Sequence, residues 1–201
     1  MRGFCFITDA GLSRAGNLSD VKQAVVAGVM VVQYREKQAG AKAMLEEARK
    51  LRSLCKDMIF LVNDRVDIAL AAAADGVHLG QDDLPCGAAR RLLGKKKIIG
   101  LTVRNLAEAL EAQDLGADYL GVSPIFLTST KGDAGPPAGL TLLQEIRRRV
   151  SLPLIAIGGI TLANAPAVIR AGADGVAAIS AVVTKPDVKA EIEKFQALFR
   201  G

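Results

Sequence analysis

Three side chains that suit anion binding alternate near the end of an apolar run. Gln33, Arg35 and Lys37 occupy every second position, so in an extended strand they point to the same face. An amide, a guanidinium and an ammonium on one face are good donors to phosphate oxygens. The spacing predicts a clamp for an anionic ligand. The alternative is a solvated strand end in which Arg35 pairs with a neighbouring acid.

Acidic residues follow the next two apolar runs. Asn63 ends one run and Asp64 follows it, and Asp82 and Asp83 come shortly after the next run. Carboxylates beside a basic clamp would neutralise it unless a hard cation such as Mg²⁺ bridges them to phosphate oxygens. We therefore predict a magnesium site. The spacing does not decide whether Asp82 or Asp83 contributes to it. The alternative, that these residues only cap helices, has similar weight on spacing alone.

A third polar segment lies later in the chain. Thr128, Thr130 and Lys131 precede residues 132–139, which are rich in glycine and proline. Hydroxyls and a lysine before such a loop are typical of a mobile phosphate-binding lid. An ordinary polar surface loop is the alternative.

Eight short apolar runs must position these side chains. They begin roughly 17 to 35 residues apart, which is the spacing of a strand plus its crossover helix. The runs are residues 4–8, 29–35, 59–63, 76–79, 98–102, 119–123, 154–158 and 175–180. Helical patterns lie between them, with Ser19 as the predicted cap of the first and others at residues 41–56, 106–115, 140–150, 164–171 and 188–200. The runs are almost wholly apolar, as in parallel strands buried on both faces. The pattern predicts a (β/α)8 TIM barrel.

A short repeat supports the barrel. An Ala-Asp pair followed by the start of an apolar run occurs at residues 74–77, 117–120 and 173–176, with a weaker copy at residues 27–29. Each copy precedes an even-numbered run, as expected of a repeat of two βα units. An open doubly wound sheet is the alternative, but the glycine fingerprint that fold needs after its first strand is missing.

The last two runs predict a phosphate site. Gly158 and Gly159 lie at the end of the seventh run, and Ile179 and Ser180 end the eighth. The loops after strands seven and eight of such barrels commonly bind phosphate, and glycines let the backbone approach it. The alternative is a tight turn that needs glycine for positive φ. His78 is the only histidine; we favour a structural role for it, with general-base catalysis as the alternative.

Composition excludes several classes of protein. The 201 residues are 50% hydrophobic and 23% charged, with a net charge of +5. Basic residues are scattered and aromatic residues are few, so nucleic acid is not an expected partner. We expect no membrane span or signal peptide, and the three cysteines without a CxxC motif favour a reducing compartment. The expectation is one cytoplasmic catalytic domain over residues 1–201; a homodimer is left open.

Taken in order, these motifs resemble the thiamine-phosphate synthase family. The resemblance extends from residue 6 to residue 181, and the combination is specific although no single motif is. The matching motifs are Gln33-x-Arg35-x-Lys37, Asn63-Asp64-Arg65, residues 76–83, Thr128-x-Thr130-Lys131 and residues 156–160.

The resemblance implies a reaction and a site. The enzyme would join 4-amino-2-methyl-5-hydroxymethylpyrimidine diphosphate to 4-methyl-5-(2-phosphoethyl)thiazole, releasing diphosphate and thiamine monophosphate by a Mg²⁺-assisted dissociative substitution. Gln33, Arg35, Lys37, Asn63 and Lys131 would hold the diphosphate, and Asp64 and Asp83 the Mg²⁺. Gly158, Gly159, Ile179 and Ser180 would take the thiazole phosphate. Thr102, Thr128 and Thr130 would line the meeting point, and the implied catalytic residues are Arg35, Lys37, Thr102 and Lys131.

Three positions depart from the family pattern. Thr102 stands where serine is usual, Ser123 where glycine is usual and Leu127 where proline is usual. These changes bear on rate and on the entry to the lid. Two other functions remain as alternatives: a thiazole tautomerase of the same superfamily, in which the diphosphate clamp is lost, and a non-catalytic barrel that binds thiamine precursors.

Overall fold

Each apolar run forms a strand, and the strands close into one parallel barrel in chain order. The computed structural model describes residues 1–128, 130 and 136–200. The strands are β1 (Gly3–Ile7), β2 (Val31–Tyr34), β3 (Ile59–Asn63), β4 (Gly76–Leu79), β5 (Ile98–Val103), β6 (Tyr119–Val122), β7 (Leu154–Ile157) and β8 (Gly175–Ala177). Pairing of β1 with β8 closes the ring. The predicted (β/α)8 barrel is confirmed.

Helices connect the strands on the outside of the barrel. Within the described residues they are α1 (Asn17–Val26), α2 (Ala41–Leu54), α3 (Val66–Ala71), α4 (Cys86–Leu93), α5 (Leu106–Asp114), α6 (Gly139–Arg149), α7 (Ala165–Arg170), α8 (Ser180–Val183) and α9 (Val188–Ala197). The main apolar core lies between this helical layer and the outward faces of the strands. None of the described helices combines the length and apolarity needed to cross a bilayer.

Several element boundaries differ from the sequence prediction, most clearly at the start of α1 and at the end of β8. Ser19 does not cap α1, which begins two residues earlier at Asn17. The hydroxyl of Ser13 instead accepts hydrogen bonds from the backbone N–H groups of Ala15 and Gly16, so the chain is already turned before Ser19 is reached. The eighth strand ends at Ala177, and Ser180 begins the additional one-turn helix α8.

Glycines make room for two rings inside the barrel. A Cβ at Gly100 would lie within the ring of Tyr119, and a Cβ at Gly121 would come 2.8 Å from Cε1 of His78. Gly100 lies on β5, next to Tyr119 on β6, and Gly121 lies on β6, two strands away from His78 on β4. Because interiors are packed at close to crystal density, these positions allow a tyrosine and a histidine to lie beneath the mouth of the barrel.

The Ala-Asp repeat has a structural function at the opposite end of the barrel. The carboxylate of Asp118, at the entry to β6, accepts a hydrogen bond from Ile99 N–H on β5 at 2.8 Å. It also pairs with Arg90 of α4 at 2.7 Å. The same arrangement recurs twice, in the sets Asp75–Phe60–Arg52 and Asp174–Leu154–Arg147.

The remaining copy of the repeat, which precedes β2, makes a different contact. Gly28 occupies the position of the aspartate, and its carbonyl accepts a hydrogen bond from Gln196 of α9 at 3.1 Å. A neutral amide therefore takes the place of an arginine where the last helix returns to the first strands. This explains why the copy of the repeat at residues 27–29 is weaker.

Candidate active site

A cavity opens at the carboxyl ends of the strands. Its volume is about 1060 Å³, including the part that is open to solvent. Loops at this end carry the active site in barrels of this type. Among the residues with predicted functions, it is lined by Gln33, Arg35, Lys37, Asn63, Asp64, His78, Thr102, Thr128, Thr130, Gly158, Gly159, Ile179 and Ser180.

Arg35 is held by the end of the neighbouring strand β1. Its Nη1 lies 2.5 Å from Oδ2 of Asp9, and both side chains are largely buried. Its backbone N–H donates to the hydroxyl of Thr8 at 2.9 Å, and this hydroxyl also donates to the Arg35 carbonyl at 3.2 Å. The sequence alternative for Arg35, pairing with a neighbouring acid, is therefore present, but the pair lies beside the cavity rather than in solvent.

Lys37 reaches across to β3. Its Nζ lies 2.6 Å from Oδ2 of Asp64, a residue with φ of +63° directly after the strand. Non-glycine residues rarely adopt this conformation, although aspartate and asparagine tolerate it best. The turn at the start of the β3–α3 loop places Asp64 in the lining of the cavity.

Asp83 lies beside Asp64. Burial raises the pKa of Asp83, the proximity of Asp64 raises it further, and the hydrogen bond from Gly80 N–H at 2.7 Å lowers it. Asp82 is exposed. Of the two candidates that spacing left open, Asp83 is thus the one that the fold brings to Asp64.

The donor set at this point fits Mg²⁺. No cluster of three or more His, Cys, Asp or Glu side chains suited to a metal occurs in the described part of the chain, so a closed protein cage is not formed there. Mg²⁺ commonly uses one or two carboxylates and completes its octahedron with water and phosphate oxygens. Two carboxylates close enough to raise the pKa of one of them are a suitable pair for such an ion.

A chain of polar side chains crosses the floor of the cavity. The Gln33 side chain hydrogen-bonds the hydroxyl of Tyr119, whose pKa burial raises well above its usual value. This hydroxyl lies 2.8 Å from Nδ1 of His78, and Nε2 of His78 lies 2.9 Å from Oγ1 of Thr102. His78 thereby connects β6 to β5, which agrees with a structural role and also places its ring at the cavity.

Consecutive glycines turn the chain after β7. Gly158 and Gly159 have φ values of +97° and +63°. The loop after β6 packs on this turn, since Phe126 N–H donates to the Gly158 carbonyl at 3.0 Å. A Cβ at Gly159 would lie 2.6 Å from the carbonyl oxygen of Leu127. The two glycines are therefore required both for the turn and for close packing of the segment that leads to Thr128.

Comparison with known proteins shows which family this chain resembles. The family model described as thiamine monophosphate synthase matches residues 4–182. The chain is 54% identical over 195 residues to a thiamine-phosphate synthase of Chloroflexus aurantiacus, with 96% of this chain and 90% of that protein covered. It is 52% identical over 198 residues to one of Methanosarcina barkeri, with 98% and 90% covered.

The chain belongs to the thiamine monophosphate synthase family. Membership makes it a transferase of thiamine biosynthesis. The fold agrees: a solved thiamine phosphate pyrophosphorylase from Pyrococcus furiosus superposes with a TM-score of 0.90 at 40% identity, covering 98% of this chain and 94% of that one.

Within this thiamine monophosphate synthase barrel, one predicted site residue cannot be located. Lys131 and half of the Gly/Pro segment that was predicted to act as a lid, residues 132–135, lie outside the described residues, which stop at Thr130 and resume at Pro136. The other predicted residues adjoin the cavity: Asp83 does so through Asp64 and Gly80, and the rest are in its lining.

Sequence reasoning missed three residues at this site. Thr8 and Asp9 bind Arg35, and Tyr119 binds His78. The signal for Thr8 and Asp9 was available, because polar residues that directly follow a barrel strand lie at the active-site end. Tyr119 begins its strand, and no local pattern distinguishes it from a core aromatic residue.

Proposed function

We propose that the protein condenses 4-amino-2-methyl-5-hydroxymethylpyrimidine diphosphate with 4-methyl-5-(2-phosphoethyl)thiazole. The products are thiamine monophosphate and inorganic diphosphate. The observation that carries the proposal is that one cavity combines Arg35 and the Lys37–Asp64 pair with the Gly158–Gly159 turn. Two anion sites in one cavity suit a diphosphate ester and a phosphorylated partner.

The clamp would stabilise the leaving group. Arg35 and Lys37 present positive charge to the side of the cavity where Gln33 and Asn63 add uncharged donors. Charge develops on the diphosphate oxygen as its bond to the pyrimidine methylene carbon breaks, and prepositioned donors lower the barrier most when they meet that charge. In this proposal Lys131 adds a further positive charge from the lid.

Asp64 and Asp83 would hold the Mg²⁺. When bound, the ion would neutralise diphosphate charge and so assist departure of the leaving group. Burial and the adjacent carboxylate already raise the pKa of Asp83, which is the electrostatic situation that a divalent cation relieves. The role of the two aspartates is to bind and orient; neither is proposed as a nucleophile.

The remaining residues would position the partners. The electron-rich aminopyrimidine can carry positive charge, so a dissociative substitution needs no protein nucleophile, and proximity of the thiazole nitrogen suffices. The Gly158–Gly159 turn would bind the thiazole phosphate together with Ile179 and Ser180, at the start of α8. Thr102, Thr128 and Thr130 would line the space between the two phosphate sites.

The proposal includes the molecular setting. Substrates are small molecules, with no nucleic acid or membrane as a partner, and residues 1–201 act as one catalytic domain. The three cysteines are buried and free, which suits the reducing cytoplasm. A homodimer is compatible with the proposal and not required by it.

The deciding experiment follows released inorganic diphosphate. Purified protein is given both phosphorylated half-molecules, with and without Mg²⁺, and turnover is expected only with all three. Asp64→Asn and Arg35→Ala should each lower turnover by about 10²-fold, the usual effect of removing an electrostatic stabiliser. Lys194→Gln, which removes a lysine from a surface ion pair on α9, is the matched control and should leave the rate unchanged.

Other outcomes identify the alternative functions. Conversion of the thiazole phosphate alone, without Mg²⁺ or the pyrimidine diphosphate, would indicate a tautomerase. Tight binding of both half-molecules without turnover would indicate a non-catalytic barrel. Wild-type rates in both Asp64→Asn and Arg35→Ala would refute the assigned clamp.

A further inference from the structure

The end of β1 constrains Arg35 at both its backbone and its side chain. The Thr8 hydroxyl bonds to the N–H and carbonyl of Arg35, and Asp9 Oδ2 holds its Nη1 at 2.5 Å. Fixing an arginine side chain costs rotamer entropy. In this protein the contacts with Thr8 and Asp9 already restrict Arg35 before a ligand binds.

Asp9 is itself fixed by the loop that follows it. Its second carboxylate oxygen, Oδ1, accepts a hydrogen bond from Leu12 N–H at 3.1 Å. Its carbonyl accepts one from Ser13 N–H at 2.9 Å. The exposed fractions of the Arg35 and Asp9 side chains are 15% and 11%, so solvent screens their interaction far less than it screens a surface pair. The β1–α1 loop and the guanidinium are thus joined through one carboxylate.

The charge of Asp9 is unfavourable for simple anion affinity. A carboxylate beside an anion-binding arginine reduces the attraction between the site and a diphosphate. The contact with Asp9 engages Nη1, and a guanidinium has five N–H donors in a planar fork. Asp9 opposes anion binding through its charge, but it fixes the direction of the Arg35 guanidinium. Its effect is therefore on the orientation of that group.

We propose that Asp9 is a positioning residue for Arg35: it aims the guanidinium at the leaving diphosphate through Oδ2 while the β1–α1 loop holds Oδ1. This inference rests on the proposed function, because it takes the ligand to be the diphosphate ester. Loss of Asp9 should therefore affect kcat and substrate affinity differently, which a general loss of structure would not do. Without Asp9, the arginine is less well oriented in the transition state, but the ground state gains net positive charge.

The test is a double-mutant cycle with Asp9→Asn and Arg35→Ala. Asparagine keeps an oxygen for Leu12 N–H and removes the charge. We expect kcat to fall about tenfold in Asp9→Asn, the lower end of the range for residues that orient a functional group, with KM for the pyrimidine diphosphate unchanged or lower. In the Arg35→Ala background the same change should have less than about a twofold effect on kcat, because interacting residues are non-additive.

The matched control is Glu193→Gln, which removes the acid of an ion pair on the surface of α9. It should change neither constant. A tenfold loss from Asp9→Asn that persists in the Arg35→Ala background would overturn the proposal and leave Asp9 as a support of its own loop. An unchanged kcat in the single variant, or an increase in KM with kcat constant, would overturn it as well.

Failure of the proposed function can be recognised separately. If the wild-type protein binds inorganic diphosphate but does not join the two substrates, the same cycle is measured by calorimetric titration of inorganic diphosphate. Coupling between Asp9 and Arg35 in that affinity would support the positioning role, and additive effects would contradict it.

Discussion

Lys37 and Asp64 form an ion pair between the ends of β2 and β3, with Nζ and Oδ2 2.6 Å apart. In the proposed reaction each of these residues has another partner, the diphosphate for Lys37 and the Mg²⁺ for Asp64. The ammonium therefore occupies one of the carboxylate oxygens that the metal needs. Binding of metal and of diphosphate should favour one another, because each releases a residue for the other.

Replacing Lys37 should strengthen metal binding in the absence of substrate. In Lys37→Gln we expect the Mg²⁺ affinity to rise roughly two- to fivefold, as for a partly exposed pair worth up to ~1 kcal/mol, and the affinity for inorganic diphosphate to fall. Calorimetric titration of each ligand alone measures both. Lys189→Gln, in an ion pair on α9, is the control. A weaker Mg²⁺ affinity in Lys37→Gln would show that the pair does not compete with the metal.

The Gly158–Gly159 turn should not tolerate a side chain at its second position. Gly159→Ala places a methyl group 2.6 Å from the Leu127 carbonyl, at a φ of +63°. We expect a loss of about 1–3 kcal/mol in the free energy of unfolding, the usual cost of such backbone strain, and a higher KM for the thiazole phosphate.

Denaturant unfolding and steady-state kinetics measure these two effects. Gly40→Ala is the control, since a Cβ there meets open space and φ is −65°. Equal stability of both variants would contradict the packing of the β6–α6 loop on the turn.

The aspartates of the repeat should stabilise the barrel at the end opposite the active site. Asp118→Ala removes the acceptor for Ile99 N–H and the partner of Arg90, so the free energy of unfolding should fall by about 1–3 kcal/mol. Activity of the folded fraction should be unchanged because the site is at the other end. Thermal and denaturant unfolding provide the measurement. The control is Asp114→Ala, at an exposed position at the end of α5, which should have little effect. A similar loss of stability in both variants would argue against a specific stabilising role for Asp118.

Asp20 should be a destabilising residue at neutral pH. It is fully buried in α1, and neither carboxylate oxygen has a hydrogen-bond partner among the described residues. Burial raises its pKa, and the nearby Ser13 hydroxyl lowers it by less. A raised pKa in the folded state means that the folded protein binds the proton more tightly than the unfolded chain. Stability therefore increases as the pH falls through the folded-state pKa, and this gain ends below the unfolded pKa.

Asp20→Asn should therefore be more stable than wild type at pH 7 by about 1 kcal/mol, the scale of an unsatisfied buried group. The difference should shrink as the pH is lowered towards about 4. Urea unfolding over this pH range is the measurement. Asp114→Asn should show no such trend, and a destabilised Asp20→Asn would imply a partner for the carboxylate.

The strands and the direction of the clamp residues follow from local sequence. A strand alternates faces every two residues, so Gln33, Arg35 and Lys37 were predicted to act together, and all three line one cavity. The apolar runs predicted each strand because parallel strands covered by helices are buried on both faces. Boundaries were less accurate, as at Ser19, where contacts of Ser13 with the preceding loop decide the start of the helix.

Pairings between strands needed the tertiary structure. Asp9 and Arg35 are 26 residues apart, and His78 and Tyr119 are 41 apart; no periodicity within a segment reports which distant side chains meet. Spacing could not distinguish Asp82 from Asp83, because the choice depends on which carboxylate the turn after β4 directs towards Asp64. Local sequence determined the elements and the faces of their side chains, since propensity and periodicity act over a few residues. Closure of the barrel decided the partners, since it alone brings the ends of different strands together.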